Sequence, residues 1–362
     1  MESIVSFNSF NWEKLVGEEI LKNLYQGWQK IKAGLSLAHK NLSSELRQRL
    51  FPHHLPLKQV SEEAWRILQQ RVEQVIEEDW KDAMEGVYPV SLLFEADWWE
   101  FLQAYIGIWL DYPRTWQRVR LGNFQDLPPG ITTDKYPAYY RRNFHYQSDG
   151  YLSEHSANLY DLQVDILFNG IADGMRRRVL KPLKQVLYTL PRPRILDVAC
   201  GTGRTLKFLR YAFPEAELYG IDLSAFYLRK ANDMLSRLSP TQLPQLIEGN
   251  AENLPYRDNY FHGVTTVFLF HELPNPVRQR VINECHRVLQ TGGILVIADS
   301  IQLSDSPQLE AVMHNFSTLF HEPFYNDYIR DDFQNRLLEA GFVNIQEKVY
   351  GLSKYWIATK RG

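Results

Sequence analysis

After Pro191 the chain keeps repeating one pattern, a short β-rich run followed by a helical or irregular connection. The runs are "RILDVAC", "ELYGIDL", "QLIEGN", "GVTTVFLF" and "GGILVIAD". Short apolar strands separated by crossover connections pair side by side in parallel and carry helices on both faces. The second half is therefore expected to be α/β, a doubly wound parallel sheet.

The first of these runs leads into "ILDVACGTGR", Ile195 to Arg204, which sets an acid just before a glycine turn. In a doubly wound sheet the turn after the first strand is where nucleotide-like ligands bind, because glycines let backbone approach and the next helix offers free N–H groups. A dinucleotide fingerprint needs a third glycine, but counting on from Gly201 and Gly203 brings that position to Leu206. Asp197 would repel a pyrophosphate, yet it suits a ligand carrying an ammonium group. Asp222 ends the second run, 21 positions after Gly201, where an acid can accept both hydroxyls of a ribose. The turn points to a cationic nucleoside ligand.

The first part of the chain reads differently. From about Trp12 to Arg120 the period is helical, as in Ala64, Ile67, Leu68, Val72, Val75 and Ile76, and "FQDLPPGITTDKYP" (Phe124 to Pro137) reads as its exit. The division expected is 1–130 for an N-terminal mainly helical domain, 131–190 for a linker and lid segment, and 191–362 for the sheet unit, which has enough apolar sequence for its own core. A chain of 362 residues with 44% hydrophobic and 13% aromatic content supports two such units. Arg176, Arg177 and Arg178 read as a solvated helix face, and the set Trp98, Trp99, Tyr105, Trp109, Tyr112 and Trp116 reads as core.

A net charge of −3 supplies no broad basic field, so nucleic acid is disfavoured as a partner. Two cysteines, Cys200 and Cys285, make no disulfide framework, and the N-terminus lacks the layout of a signal peptide, which points to a cytoplasmic chain. No apolar stretch reaches the length of a transmembrane segment. No Cys/His cluster has zinc spacing, so no metal is expected. Oligomeric state is not legible.

In their order and composition these runs resemble the class I S-adenosylmethionine-dependent methyltransferases, and most closely the branch with the ubiquinone and menaquinone biosynthesis enzymes. "LDVACGTGR" resembles the family's first motif, "YGIDLS" its second, "GNAENLPY" its third, "FHGVTTVFLFHEL" its fourth and "RVLQTGGILVIAD" its fifth, over roughly residues 190–362. The resemblance implies a Rossmann-like methyltransferase sheet, with S-adenosylmethionine as cofactor. By position it implies that Asp197, Ala199, Gly201 and Gly203 cradle the methionine part, that Asp222 and Leu223 face the ribose, and that Asn250, Ala251, Glu252 and Phe268 border the remaining nucleoside. Asn250 stands where the family more often has Asp. Ala199 stands where it commonly has Gly, which a negative φ would tolerate.

Two aromatic segments without period, "YPAYYRRNFHYQSDGYLSEHSANLYD" and "FHEPFYNDY", lie where this fold places its lids, and supply Tyr146, Tyr151, His321, Tyr325 and Tyr328 as candidate substrate contacts. His271 and His145 are the candidate bases; Glu272 reads as capping a loop. The function expected is methyl transfer to a small aromatic or amphipathic molecule. The alternatives are a protein methyltransferase and a catalytically inactive cofactor-binding protein. "FHEL" in place of an Asn-Pro-Pro-Tyr-like tetrapeptide disfavours adenine and glutamine targets.

Overall fold

The computed structural model describes residues 17–129, 131, 135–238 and 243–362; the stretch around Trp12 and part of the boundary segment 124–137 lie outside them. Three long helices come first: α1 (Glu18–Leu50), α2 (Glu62–Met84) and α3 (Trp98–Leu121). Ser61 caps α2 by accepting from Ala64 N at 3.1 Å, and Asp97 caps α3 by accepting from Glu100 N at 2.9 Å. Gly122, in the left-handed region, ends α3. Shorter helices α4 (Glu154–Leu167), α5 (Ala172–Arg177) and α6 (Leu180–Leu187) lead to the sheet.

The expected alternation then appears. Strands β1 (Arg194–Val198), β2 (Glu217–Asp222), β3 (Gln245–Glu248), β4 (Phe261–Val267) and β5 (Leu289–Ser300) run parallel. Helices α7 (Arg204–Ala212), α8 (Ala225–Ser236) and α9 (Asn275–Val288) cross between them. After β5 come α10 (Glu310–Leu319), α11 (Tyr325–Tyr328) and α12 (Phe333–Glu339), then the antiparallel strands β6 (Phe342–Tyr350) and β7 (Ser353–Lys360). Among the described residues the sheet has seven strands in the order β3-β2-β1-β4-β5-β7-β6. Strand order reverses between β1 and β4, and a crevice opens at their carboxyl ends.

Alternate side chains of each strand enter two cores. Leu196, Tyr219, Val264 and Leu295 pack under α9 and α12, while Ile195, Leu218, Ile294 and Val296 pack under α6, α7 and α8. The second core also takes in Tyr25 of α1 and Trp80 and Ala83 of α2, together with Val87 and Tyr88. The N-terminal helices thus share a core with the sheet.

Two sequence-based expectations are corrected here. The three arginines at 176–178 are buried, not solvated, each at 7% exposure or less. Arg176 pairs with Asp173 at 3.2 Å, Arg177 donates to both oxygens of Asp79, and Arg178 pairs with Asp82 and lies 4.1 Å over the Tyr350 ring. Asp79 and Asp82, three apart on α2, present both carboxylates on one helix face. The tryptophan set divides: Trp116 is buried, but Trp98 and Trp99 are 60% and 68% exposed, because α3 turns its Ala104 and Ile108 side toward α4.

Candidate functional site

The crevice at the carboxyl ends of β1, β2 and β4 is a cleft lined by residues from the turns after all three strands. Its floor begins at the turn after β1. Gly201 donates its N–H to Asp222 Oδ2 at 2.9 Å, Ser224 N donates to Asp222 Oδ1 at 2.8 Å, and Cys200 N donates to Ile221 O at 3.0 Å. One carboxylate therefore ties the β1 turn to the β2 turn. Burial holds Asp222 up at about 6, even though these two N–H groups favour the charged form. Gly201 and Gly203 have φ of +52° and +82°, and a Cβ on Gly203 would come 2.9 Å from Ala231 Cβ, so α8 packs against the turn only if it is glycine. Ala199 has φ +57°, so the condition of a negative angle under which alanine would be tolerated is not met, and an L residue in that region is strained.

Asp197 lies beneath this floor at 1% exposure, and among the described residues nothing donates to its Oδ2. Burial, reinforced by the charge of Asp222, pushes its carboxyl well above the usual range. Leu223, Asn250, Ala251 and Phe268 continue the lining. Asn250 is turned on itself: its Oδ1 accepts from Glu252 N at 2.9 Å and its Nδ2 donates to Glu252 Oε1 at 3.2 Å. Glu252 in turn accepts from Tyr139 OH and Arg280 Nε, both at 2.7 Å, and fastens the roof to the wall from behind the lining.

The roof is aromatic. Tyr139, Tyr140, Phe144, Tyr151 and Tyr160 cover the cleft, with Tyr227 of α8 packed edge-on against Tyr151 at 5.4 Å. The chain segment that carries them is rigidly held. Asn143, fully buried, donates to Asp126 O at 2.9 Å and Gln147 O at 3.0 Å and accepts from Asp126 N at 2.8 Å. Arg118 donates to Ser148 Oγ at 3.0 Å. These bonds hold His145 and Tyr146 at φ +55° each, an uncommon backbone for non-glycine residues.

At the roof's polar end Tyr151 OH donates to Glu272, which lines the cleft. His145 Nε2 lies 3.6 Å from Glu272 Oε1 and 3.1 Å from Glu322 Oε1. Glu322 is 3% exposed, and burial raises its carboxyl above the usual range, although the His145 charge opposes this. Behind them His271 Nδ1 meets Asp299 Oδ1 at 2.6 Å, while Asp299 Oδ2 accepts from Leu269 N and Phe270 N. Burial alone would lower the His271 pKa, but Asp299 lifts it to about 9.

Of the residues singled out from sequence, Ala199, Gly201, Asp222, Leu223, Asn250, Ala251, Phe268 and Tyr151 line this one cleft. Asp197, Gly203 and Glu252 support it from behind. His271 and His145 sit at its polar end but are not lining residues. Tyr146 packs against His321 at 5.6 Å, and His321 stacks on Phe124 at 4.2 Å, away from the lining. Tyr325 and Tyr328 belong to the core under α9; their hydroxyls bond Ser300 Oγ and Ser300 O. Glu272 is no simple cap, and Glu322 was not singled out. An acid amid aromatics in "FHEPF" was the signal available for it.

The family described as Methyltransferase domain matches residues 195–293, from β1 into β5. A demethylmenaquinone methyltransferase of Thermotoga maritima is 30% identical over 194 residues, covering 53% of this chain and 79% of the relative. One from Geobacillus kaustophilus is 32% identical over 189 residues, covering 46% and 79%. No helix among the described residues is long and apolar enough to cross a membrane. With relatives this similar spanning most of their own length, and the glycine turn, paired acids and strand order in place, the chain belongs to the class I S-adenosylmethionine-dependent methyltransferases and resembles their ubiquinone and menaquinone biosynthesis branch.

Proposed function

We propose that this methyltransferase acts on a small aromatic or amphipathic molecule that lies under the tyrosine roof with a hydroxyl directed to the cluster of His145, Glu272 and Glu322. The observation that carries the reading is the aromatic lining: five rings border a concave cleft that has one polar end, which is how small-molecule sites are built.

The residues present fit the cofactor. Asp197 Oδ2, buried and accepting from no described residue, suits an ammonium group, and the glycine turn allows close backbone approach. Asp222 keeps lone pairs beyond those used by Gly201 and Ser224 and can accept from ribose hydroxyls. Leu223, Ala251 and Phe268 supply apolar lining, and Asn250 with Glu252 shapes the wall. When bound, the cofactor supplies an activated methyl group, so the protein's task is to position an acceptor and exclude water.

Of the two imidazoles expected to act as bases, His271 is committed through its Nδ1 to Asp299 at 2.6 Å. The hydroxyl is left to the His145 end. The test incubates the protein with isotope-labelled S-adenosylmethionine and a panel of catechols, quinols, amphipathic phenols and unfolded polypeptides, and follows label transfer by mass spectrometry. Label in small hydroxylated aromatics supports the reading, and label confined to polypeptides overturns it.

A further inference from the structure

We infer that His145, Glu272 and Glu322 form a binding site for one divalent metal ion of the zinc type, at the substrate end of the cofactor cleft. The metal's role there, fixing the acceptor's oxygen, rests on the small-molecule reading above; its binding does not.

Three observations carry the site. The donor atoms of the three residues all lie within 4.8 Å of one another. The two separations from His145 Nε2, 3.1 and 3.6 Å, bracket the edge of about 3.4 Å that joins ligands of a tetrahedral ion with bonds of about 2.1 Å. Second, Glu322 has a fully buried side chain, and among the described residues no donor makes an aligned hydrogen bond to either of its oxygens. A carboxylate in that state is costly unless a cation meets it. Third, the histidine is delivered by a backbone that is strained and over-determined, with His145 at φ +55° held by the Asn143 and Arg118 bonds, as is common where a side chain must be placed for function.

The surrounding charges leave room for such an ion. An imidazolium at His145 has one Nε2–H to share between two carboxylates. Arg142, whose charge also acts on Glu322, donates to Tyr139 O at 2.8 Å and lies 3.4 Å from His321, and among the described residues no hydrogen bond joins it to Glu322. His271 answers Asp299. Tyr151, donating to Glu272, is the kind of outer partner that orients a carboxylate ligand. One imidazole with two carboxylates favours zinc, manganese or iron(II) over calcium or magnesium, which prefer all-oxygen sites. Three protein ligands leave a position open to an acceptor oxygen, whose hydroxyl proton would pass to solvent as the oxygen–metal bond forms.

The experiment uses the full untagged chain, stripped with a chelator. It measures Zn2+ and Mn2+ binding by calorimetry, and Co2+ binding by visible absorption. We expect one equivalent bound with a rise in Tm. Glu322→Gln, nearly isosteric, should keep the circular dichroism of the native protein and weaken binding by about 100-fold or more; His145→Ala should do the same. No binding of any of the three ions by the stripped protein overturns the proposal, as does binding unchanged in both variants. S-adenosylhomocysteine binding is measured in the same samples. If it binds while no metal does, only the metal site falls; if metal binds while it does not, the cofactor assignment falls instead.

Discussion

Replacing Asp222 by Asn tests the centre of the cleft more sharply than any other single change. The carboxylate now accepts from Gly201 N on one oxygen and Ser224 N on the other, at 2.9 and 2.8 Å. An amide has one acceptor and one donor, so either orientation turns an NH2 toward one of those N–H groups. Losing a hydrogen bond to a charged acceptor costs about 1.5–3 kcal/mol. Part of that loosens the glycine turn in the free protein, and the ribose hydroxyls lose their charged acceptor in addition. A combined loss of about 3 kcal/mol in binding corresponds to roughly a 100-fold rise in Kd. Calorimetric titration with S-adenosylhomocysteine at neutral pH measures it, with a thermal melt of each free protein as the control for folding. A pH series adds a second readout: because the carboxyl sits at about 6, wild-type affinity should decline as pH falls through that value, and Asp222→Asn should not follow. A variant within threefold of wild type, with the same pH profile, would refute the assignment of Asp222 to the cofactor.

The other predictions concern stability. His271 has a folded pKa of about 9 against an ordinary 6.5, so its contribution is fully present below 6.5 and lost as pH rises through 9. The shift corresponds to about 3 kcal/mol. Urea unfolding across that range should show the decline in wild type and a flatter profile in Asp299→Asn; parallel profiles would sink the idea. Asp79→Ala strands Arg177 in the core, strips Tyr25 of its acceptor and leaves Tyr88 only the backbone carbonyl of residue 79, which should cost about 3–5 kcal/mol by denaturant titration. A loss under 1 kcal/mol would mean that water reaches the pair. By the same logic a chain beginning at Tyr136, without α2, should be poorly soluble, and a soluble fragment with a cooperative melt would show that the sheet unit is autonomous.

What could be read from the sequence was whatever is written locally. The parallel strands and the glycine turn are short and contiguous, so "ILDVACGTGR" and "YGIDLS" located the floor of the cleft, and the aromatic run from Tyr136 located much of its roof. Partners distant in the chain were invisible. Arg176 to Arg178 are indistinguishable from a solvated face until α2, about a hundred positions earlier, brings Asp79 and Asp82 to them. Glu272 and Glu322 come together only because the loop between α10 and α11 and the turn after β4 fold toward each other, and Tyr325 and Tyr328, polar and aromatic like a lid, are claimed by the core and by Ser300. The positive φ of Ala199 is a property of the β1 turn, not of alanine. β6 escaped notice because an edge strand with a mostly exposed face, "FVNIQEKVY", carries too little apolar signal.

The strand order has a consequence for biosynthesis. β7 follows β6 in the chain yet inserts between β5 and β6, so every hydrogen bond that β6 makes to the sheet depends on a strand the ribosome delivers later. Until then β5, whose residues from Ile294 to Ala298 are buried in the native protein, presents an unpaired apolar edge through the synthesis of α10, α11, α12 and β6. An open edge of that composition is a template for a neighbouring chain. Yield in cells should therefore be governed by the interval before Ser353–Lys360 emerges, and codon changes that slow translation between β5 and β7 should increase aggregation while leaving the purified protein's Tm unchanged.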